Sequence, residues 1–242
     1  MTLLEVEELD CRYGLLQAVR GVSFDVAQGE IVALIGANGA GKTTLLRAIA
    51  GAHRPHAGRV QFGGIDVTRL PAHRHVSLGV ALVPEGRRLF PSLTVEENLR
   101  VAAVKNRRGR WNVQSVLEAF PLLQPRRKMP AATLSGGEQQ AVAIGRALMS
   151  NPSLMLLDEV SLGLAPVVVD AVYRSLTSVI KEGATVVLVE QDLTRALRVA
   201  GRVICMLEGR VVLQGASKSL DRETIVDAYF GLRRKAAGGA SA

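Results

Sequence analysis

Residues 36–44 read GANGAGKTT, between the apolar run IVALI (31–35) and a stretch of helical spacing from Lys42 to about Ala50. The spacing G-x-x-x-x-G-K-T after a strand and before a helix is the pattern of a phosphate-cradling loop. Gly36, Gly39 and Gly41 let the backbone curl so that successive N–H groups, including those of Asn38, Ala40 and Thr44, face phosphate oxygens. The helix N-terminus adds partial positive charge. Lys42 then reaches the β and γ phosphates, and the Thr43 hydroxyl can ligate Mg²⁺. The plain alternative is a glycine-rich turn before an ordinary helix.

Working outward, SLMLLDE (153–159) is an apolar strand ending in two acids. Open α/β sheets place their ligands at that end of a strand. Asp158 suits Mg²⁺, directly or through water, and Glu159 suits polarising an attacking water. LSGGEQQ (134–140) lies before a helix running to about Met149. Ser135, Gly136 and Gly137 there form a second anion-binding geometry. One ATP does not need two cradles in one chain, so this one is read as capping an ATP held by another subunit.

The chain has 242 residues, 48% apolar and 4% aromatic, with a net charge of +8. That is enough for a sizeable core. The charge is spread over 105–110, 126–128 and 233–235 rather than gathered, and few aromatics are available to stack nucleic-acid bases. No nucleic-acid partner is therefore expected. The N-terminus MTLLEVEELD lacks a basic region, so no signal peptide is expected, and no apolar run approaches the length of a membrane span. Cys11 and Cys205 have no metal-type spacing.

Other segments alternate in type. GRVQFGGIDV (58–67) reads as short strands around a Gly-Gly turn, and GVALVP (79–84) as a strand. Thr94 and Glu97 form a capping box, and 95–150 is expected to be mostly helical, interrupted at 105–112. A helix follows Pro166 and ends near Gly183. TVVLVE is a strand, 192–200 a helix, VICML and VVLQG a hairpin, and 219–230 a last helix. Strands alternating with helices imply a largely parallel sheet covered on both faces.

Together, the phosphate loop, LSGGEQQ and LMLLDE resemble an ABC-transporter ATPase subunit, in that family's order and over nearly the whole chain. VPEGRRLFPSLTVEENL, LVEQD, SLGLAP and DAYFG narrow the resemblance to the smaller ATPase subunit of branched-chain amino-acid importers, the LivF type. The resemblance implies an α/β P-loop fold: a mostly parallel core, an antiparallel β subdomain and an inserted helical subdomain. It suggests a nucleotide-binding core over 1–85 and 151–232 and a helical subdomain over 86–150, and the composition of AAGGASA suggests a disordered tail over 233–242. It implies that Tyr13 stacks on adenine, or else is an ordinary core or edge tyrosine, and that Ser135–Gly137 contact a γ-phosphate across a dimer. It also implies that 161–166 is a loop by which each monomer senses the other.

Two positions depart from the family pattern. Glu85 stands where glutamine is usual, and Gln191 where a histidine faces the γ-phosphate. Glu85 is either a solvated strand end or a carboxylate facing Mg²⁺ or the attacking water. The function implied is an ATP-hydrolysing motor, peripheral on the cytoplasmic face of the membrane. Its implied partners are two permease subunits, a second ATPase subunit or a second copy of itself, and indirectly an extracytoplasmic substrate-binding protein. Open alternatives are an importer of urea or short amides, a soluble ABC ATPase acting on nucleic acid or ribosomes, and a nucleotide-binding regulator without turnover.

Overall fold

The computed structural model describes residues 1–104, 107–181 and 183–232. The tail 233–242 and the middle of the basic stretch lie outside the described residues. The chain opens with two antiparallel strands, β1 (Thr2–Tyr13) and β2 (Leu16–Ala27), joined by a tight turn at Gly14. Their apolar residues do not alternate evenly. Leu4, Val6, Leu9 and Cys11 all point inward, because the ladder slips between Val6 and Leu9, where Glu8 takes φ 43°. A bulge inserts one residue and resets the period of two. β4 (Ala57–Phe62) and β5 (Ile65–Asp66) complete a four-stranded sheet in the order β2-β1-β4-β5.

The second sheet has six strands. Its members are β3 (Ile31–Ile35), β6 (Val80–Val83), β7 (Leu154–Asp158), β8 (Thr185–Val189), β9 (Arg202–Leu207) and β10 (Arg210–Ala216). The order is β10-β9-β3-β8-β7-β6, all parallel except β10, which returns from β9 as a hairpin. β7 and β8 are buried along their whole length, as apolar runs in a doubly covered sheet should be. β10 lies at one edge and alternates half-buried with exposed.

Between β6 and β7 the chain makes a helical excursion: α3 (Val95–Arg100), α4 (Val113–Ala119) and α5 (Gly136–Leu148). Each begins with a reciprocal capping box, Thr94 with Glu97, Asn112 with Ser115, and Ser135 with Glu138. The region is less helical than its spacing suggests. Pro121–Arg126 and Ala131–Thr133 are short 3₁₀ turns. Prolines at 121, 125 and 130 remove the donors a continuous α-helix needs.

The remaining helices are α1 (Lys42–Ile49), α2 (Ala72–Leu78), α6 (Pro166–Lys181), α7 (Leu193–Val199) and α8 (Arg222–Phe230). One core cluster joins α3–α6 to one face of β6–β8. Another joins the antiparallel sheet and α1 to the opposite face of the parallel sheet. The two sheets are also tied by Arg20 N–H donating to Gly209 O (2.8 Å) and by Arg202 of β9 paired with Asp25 of β2 (3.6 Å).

Candidate functional site

The strand order decides where the chemistry gathers. β3, β8, β7 and β6 are parallel neighbours, so their C-terminal ends form one edge. That edge carries the loop 36–41, Glu190-Gln191, Asp158-Glu159 and Glu85 in turn.

The loop is held by its surroundings as well as by its glycines. Gly36 and Gly41 have φ of 149° and 98°. A Cβ on Gly36 would lie 2.2 Å from Met206 O, and one on Gly41 2.2 Å from Ala18 O. The strands β9 and β2 thus press on the loop, and only glycine fits there. Ala40 is buried, while Asn38 and Gly39 face outward. Lys42 opens α1 and is only 4% exposed. Its ammonium donates to Gly36 O (2.7 Å) and Ala37 O (3.0 Å) and lies 4.0 Å from Glu159 Oε1. Burial lowers its pKa, and the carboxylates of Glu159 and Asp158 act to raise it.

Thr43 Oγ1 donates to Asp158 Oδ1 at 3.0 Å, across 115 residues of sequence. Thr44, next along α1, is buried. Burial pushes the Asp158 carboxyl up and the Thr43 hydrogen bond draws it down, while Glu159 and Glu85 add to the rise. Glu85 is exposed, yet its charge is felt at Asp158. Glu159 has φ 49°, a left-handed conformation that costs a non-glycine residue on the order of 1–3 kcal/mol. Its side chain accepts from Gln191 Nε2 (2.7 Å), which also donates to Asn38 Oδ1 (3.2 Å). Gln191 therefore links the loop to Glu159.

Two predicted groups stand apart from this edge. Tyr13 ends β1 half-exposed, its ring 4.6 Å from that of His53. Ser135 caps α5, and its partner Glu138 pairs with Arg126 (2.9 Å). Gly136 and Gly137 form the first turn of α5 rather than a loop before it. Gly137 is buried, and a Cβ there would come 2.1 Å from Val168 Cγ1. The small residue thus also serves packing against α6.

Two residues carry geometry that the sequence reading left unassigned. Glu190 is a buried carboxylate that accepts from Ser161 and Tyr173. Arg87, with φ 63°, donates to Gln139 Oε1 (2.9 Å) and so ties the segment after Glu85 to α5. Glu190 carries the same signal as Asp158, an acid closing an apolar run; Arg87 carries none.

The family model described as ABC transporter matches residues 19–161. The high-affinity branched-chain amino acid transport ATP-binding protein BraG of Pseudomonas aeruginosa is 44% identical over 232 residues, 95% of this chain and 100% of that protein. The chain belongs to the ABC transporter family. A probable branched-chain amino acid transport ATP-binding protein, LivF of Archaeoglobus fulgidus, is 34% identical and covers 90% of this chain and 94% of that one. Among solved structures, a nucleotide-free ATP-binding cassette from an ABC transporter superposes with a TM-score of 0.80 at 27% identity, covering 95% and 99% of the two chains. A dimeric cassette, MJ0796, in a post-hydrolysis state with ADP and Pi gives 0.80 at 26% identity, over 89% and 99%. As in the expected ABC ATPase fold, a parallel core is joined to an antiparallel sheet and a helical excursion. No helix among the described residues is long and apolar enough to cross a membrane.

Proposed function

We propose that this chain is the ATP-hydrolysing motor of an importer for branched-chain amino acids, acting on permease partners at the cytoplasmic face of a membrane. One observation carries the motor reading. A glycine loop shaped to surround phosphate, a buried lysine and two carboxylates meet at one strand edge. The cargo rests on the similarity to BraG and the LivF protein.

The site residues take the following roles. Backbone N–H groups of 36–44 and Lys42 hold the β and γ phosphates. Tyr13 stacks on the base. Glu159 accepts a proton from the attacking water. Gln191 orients Glu159 and offers an N–H to the γ-phosphate. Ser135–Gly137 of one subunit cap the nucleotide of the other.

The donor set fits Mg²⁺. Thr43 Oγ1 and Asp158 Oδ1 are oxygens already 3.0 Å apart, and Glu85 and Glu159 add negative charge nearby. No group of three or more His, Cys, Asp or Glu suited to a metal occurs among the described residues. This suits an ion that arrives with nucleotide phosphates supplying further ligands. When bound, Mg²⁺ neutralises charge developing on those phosphates.

ATP draws two ATPase subunits together, and hydrolysis lets them part. That motion drives two permease subunits, which receive cargo from an extracytoplasmic binding protein. The helical segment 86–150 forms the lobe that meets the permeases, and 1–85 with 151–232 forms the nucleotide core. The test is reconstitution of the chain with its permeases and second ATPase subunit in vesicles. ATP-dependent uptake of leucine, isoleucine or valine, lost with Glu159→Gln, is expected. Uptake of urea or acetamide alone would reassign the cargo, and no ATP-driven uptake of any solute would overturn the motor.

A further inference from the structure

The edge that bears Glu159 contains one carboxylate, among the described residues, to which the proposed mechanism gives no part. Glu190 directly follows β8 and is 1% exposed. Its Oε2 accepts from Ser161 Oγ at 2.8 Å, and its Oε1 accepts from the Tyr173 hydroxyl. These donors lie on different elements, one two residues past Glu159 and the other in the second turn of α6. Burial and the adjacent Glu190 charge raise the Tyr173 pKa, so its O–H remains a donor at neutral pH. Arg195 lies over the Tyr173 ring at 5.5 Å and steadies it from the outer side.

The last residue of β8 and the two that follow it grip the loop after β7. Val189 O accepts from Glu159 N–H (3.1 Å), Glu190 holds Ser161, and Gln191 holds the Glu159 carboxylate. Between these grips Glu159 keeps its left-handed φ of 49°. Such a conformation persists only where its surroundings over-determine it. We infer that Glu190 is a positioning residue, fixing through Ser161 and Tyr173 the loop that aims Glu159 at the attacking water. The inference rests on the proposed role of Glu159. Glu190 itself is sequestered from nucleotide, and its effect falls on turnover rather than on binding.

The test uses Ser161→Ala, Ser161→Thr, Glu190→Gln and the Ser161→Ala/Glu190→Gln double variant. Phosphate release is measured in the ATPase pair and affinity with a fluorescent ATP analogue. Ser161→Ala is expected to lower kcat about tenfold, with ATP affinity changed by less than about twofold, because a misaimed group costs rate rather than binding. Ser161→Thr keeps a hydroxyl and should keep most of the rate. The double variant should fall no further than the worse single one, as for partners in one interaction. Multiplying losses would overturn the coupling, as would an equal loss of affinity.

A readout free of turnover separates this inference from the motor reading. Amide hydrogen exchange of Glu159 and Leu162 in the chain alone should quicken about tenfold in Ser161→Ala and recover in Ser161→Thr. Unchanged exchange would overturn the inference even if the wild type turns over ATP. Quickened exchange beside a wild type without turnover would support the tie and count against the motor.

Discussion

At the scale of single residues, the site depends on charges that burial makes expensive and proximity makes useful. Lys42 is buried, with three partners: two loop carbonyls and Glu159. Replacing it with alanine removes the mobile cation at the proposed phosphate position. Turnover should fall by about 10²–10³, the range for losing one electrostatic stabiliser. Near-normal phosphate release by the variant would show that the loop holds no substrate phosphate. Glu159→Gln keeps shape and the hydrogen bond to Gln191 while losing the basic oxygen. Nucleotide binding should survive and turnover drop at least about a hundredfold. Unchanged phosphate release would move the base elsewhere. Glu159 was legible in the sequence because it ends an apolar strand. Its left-handed backbone was not, because the bonds imposing it come from β8, some thirty residues on.

At the scale of elements, α5 shows one glycine meeting two demands. Alanine at 137 would gain up to about 1 kcal/mol of helix propensity. It would also place a methyl 2.1 Å from Val168 Cγ1, and overpacking of that kind costs about 1–3 kcal/mol. The net effect of Gly137→Ala should be a lower urea midpoint, partly restored by Val168→Ala. An unshifted midpoint would mean that α6 gives way freely.

The helical excursion is also pinned by charge. Arg127 hydrogen-bonds Glu96 through two nitrogens, and with help from Arg100 it holds the Glu96 carboxyl down to about 2. A depressed carboxyl contributes stability above its unfolded value, near 4.5, and loses it as pH falls toward 2. Wild type should therefore lose its advantage over Glu96→Gln across that window. Melting curves at pH 7, 4 and 2.5 check this, and a gap that persists at low pH would refute it.

For the molecule as a whole, the two sheets share one core cluster, so they should unfold together. Cys11 sits in the antiparallel sheet and Cys205 in the parallel one, both fully buried. Burial pushes both thiols up to about 11, so little reactive thiolate exists at pH 8. Labelling by an alkylating reagent, followed residue by residue with mass spectrometry across a urea series, should give one midpoint for both. Two midpoints would show that the β1–β2 hairpin opens by itself.

The sequence by itself determined the phosphate loop, the acid pair closing β7, the parallel core and the Thr94 capping box. The loop, the acid pair and the capping box are local patterns whose physics acts within about ten residues, and the parallel core follows from the alternation of strands and helices along the chain. It also carried the resemblance to the ABC family, through motifs whose order is written in the chain. Only the tertiary structure decided the rest. The first thirty residues escaped assignment because bulges at Glu8 and Gly21 break the period of two. Glu190 drew no assignment until packing brought Ser161 and Tyr173 to it. Gly137 was read for its backbone, whereas α6 also demands its missing side chain. For Glu190 and Gly137 the deciding partner is remote in sequence, and only the strand order β3-β8-β7-β6 and the helices packed on it bring that partner within reach.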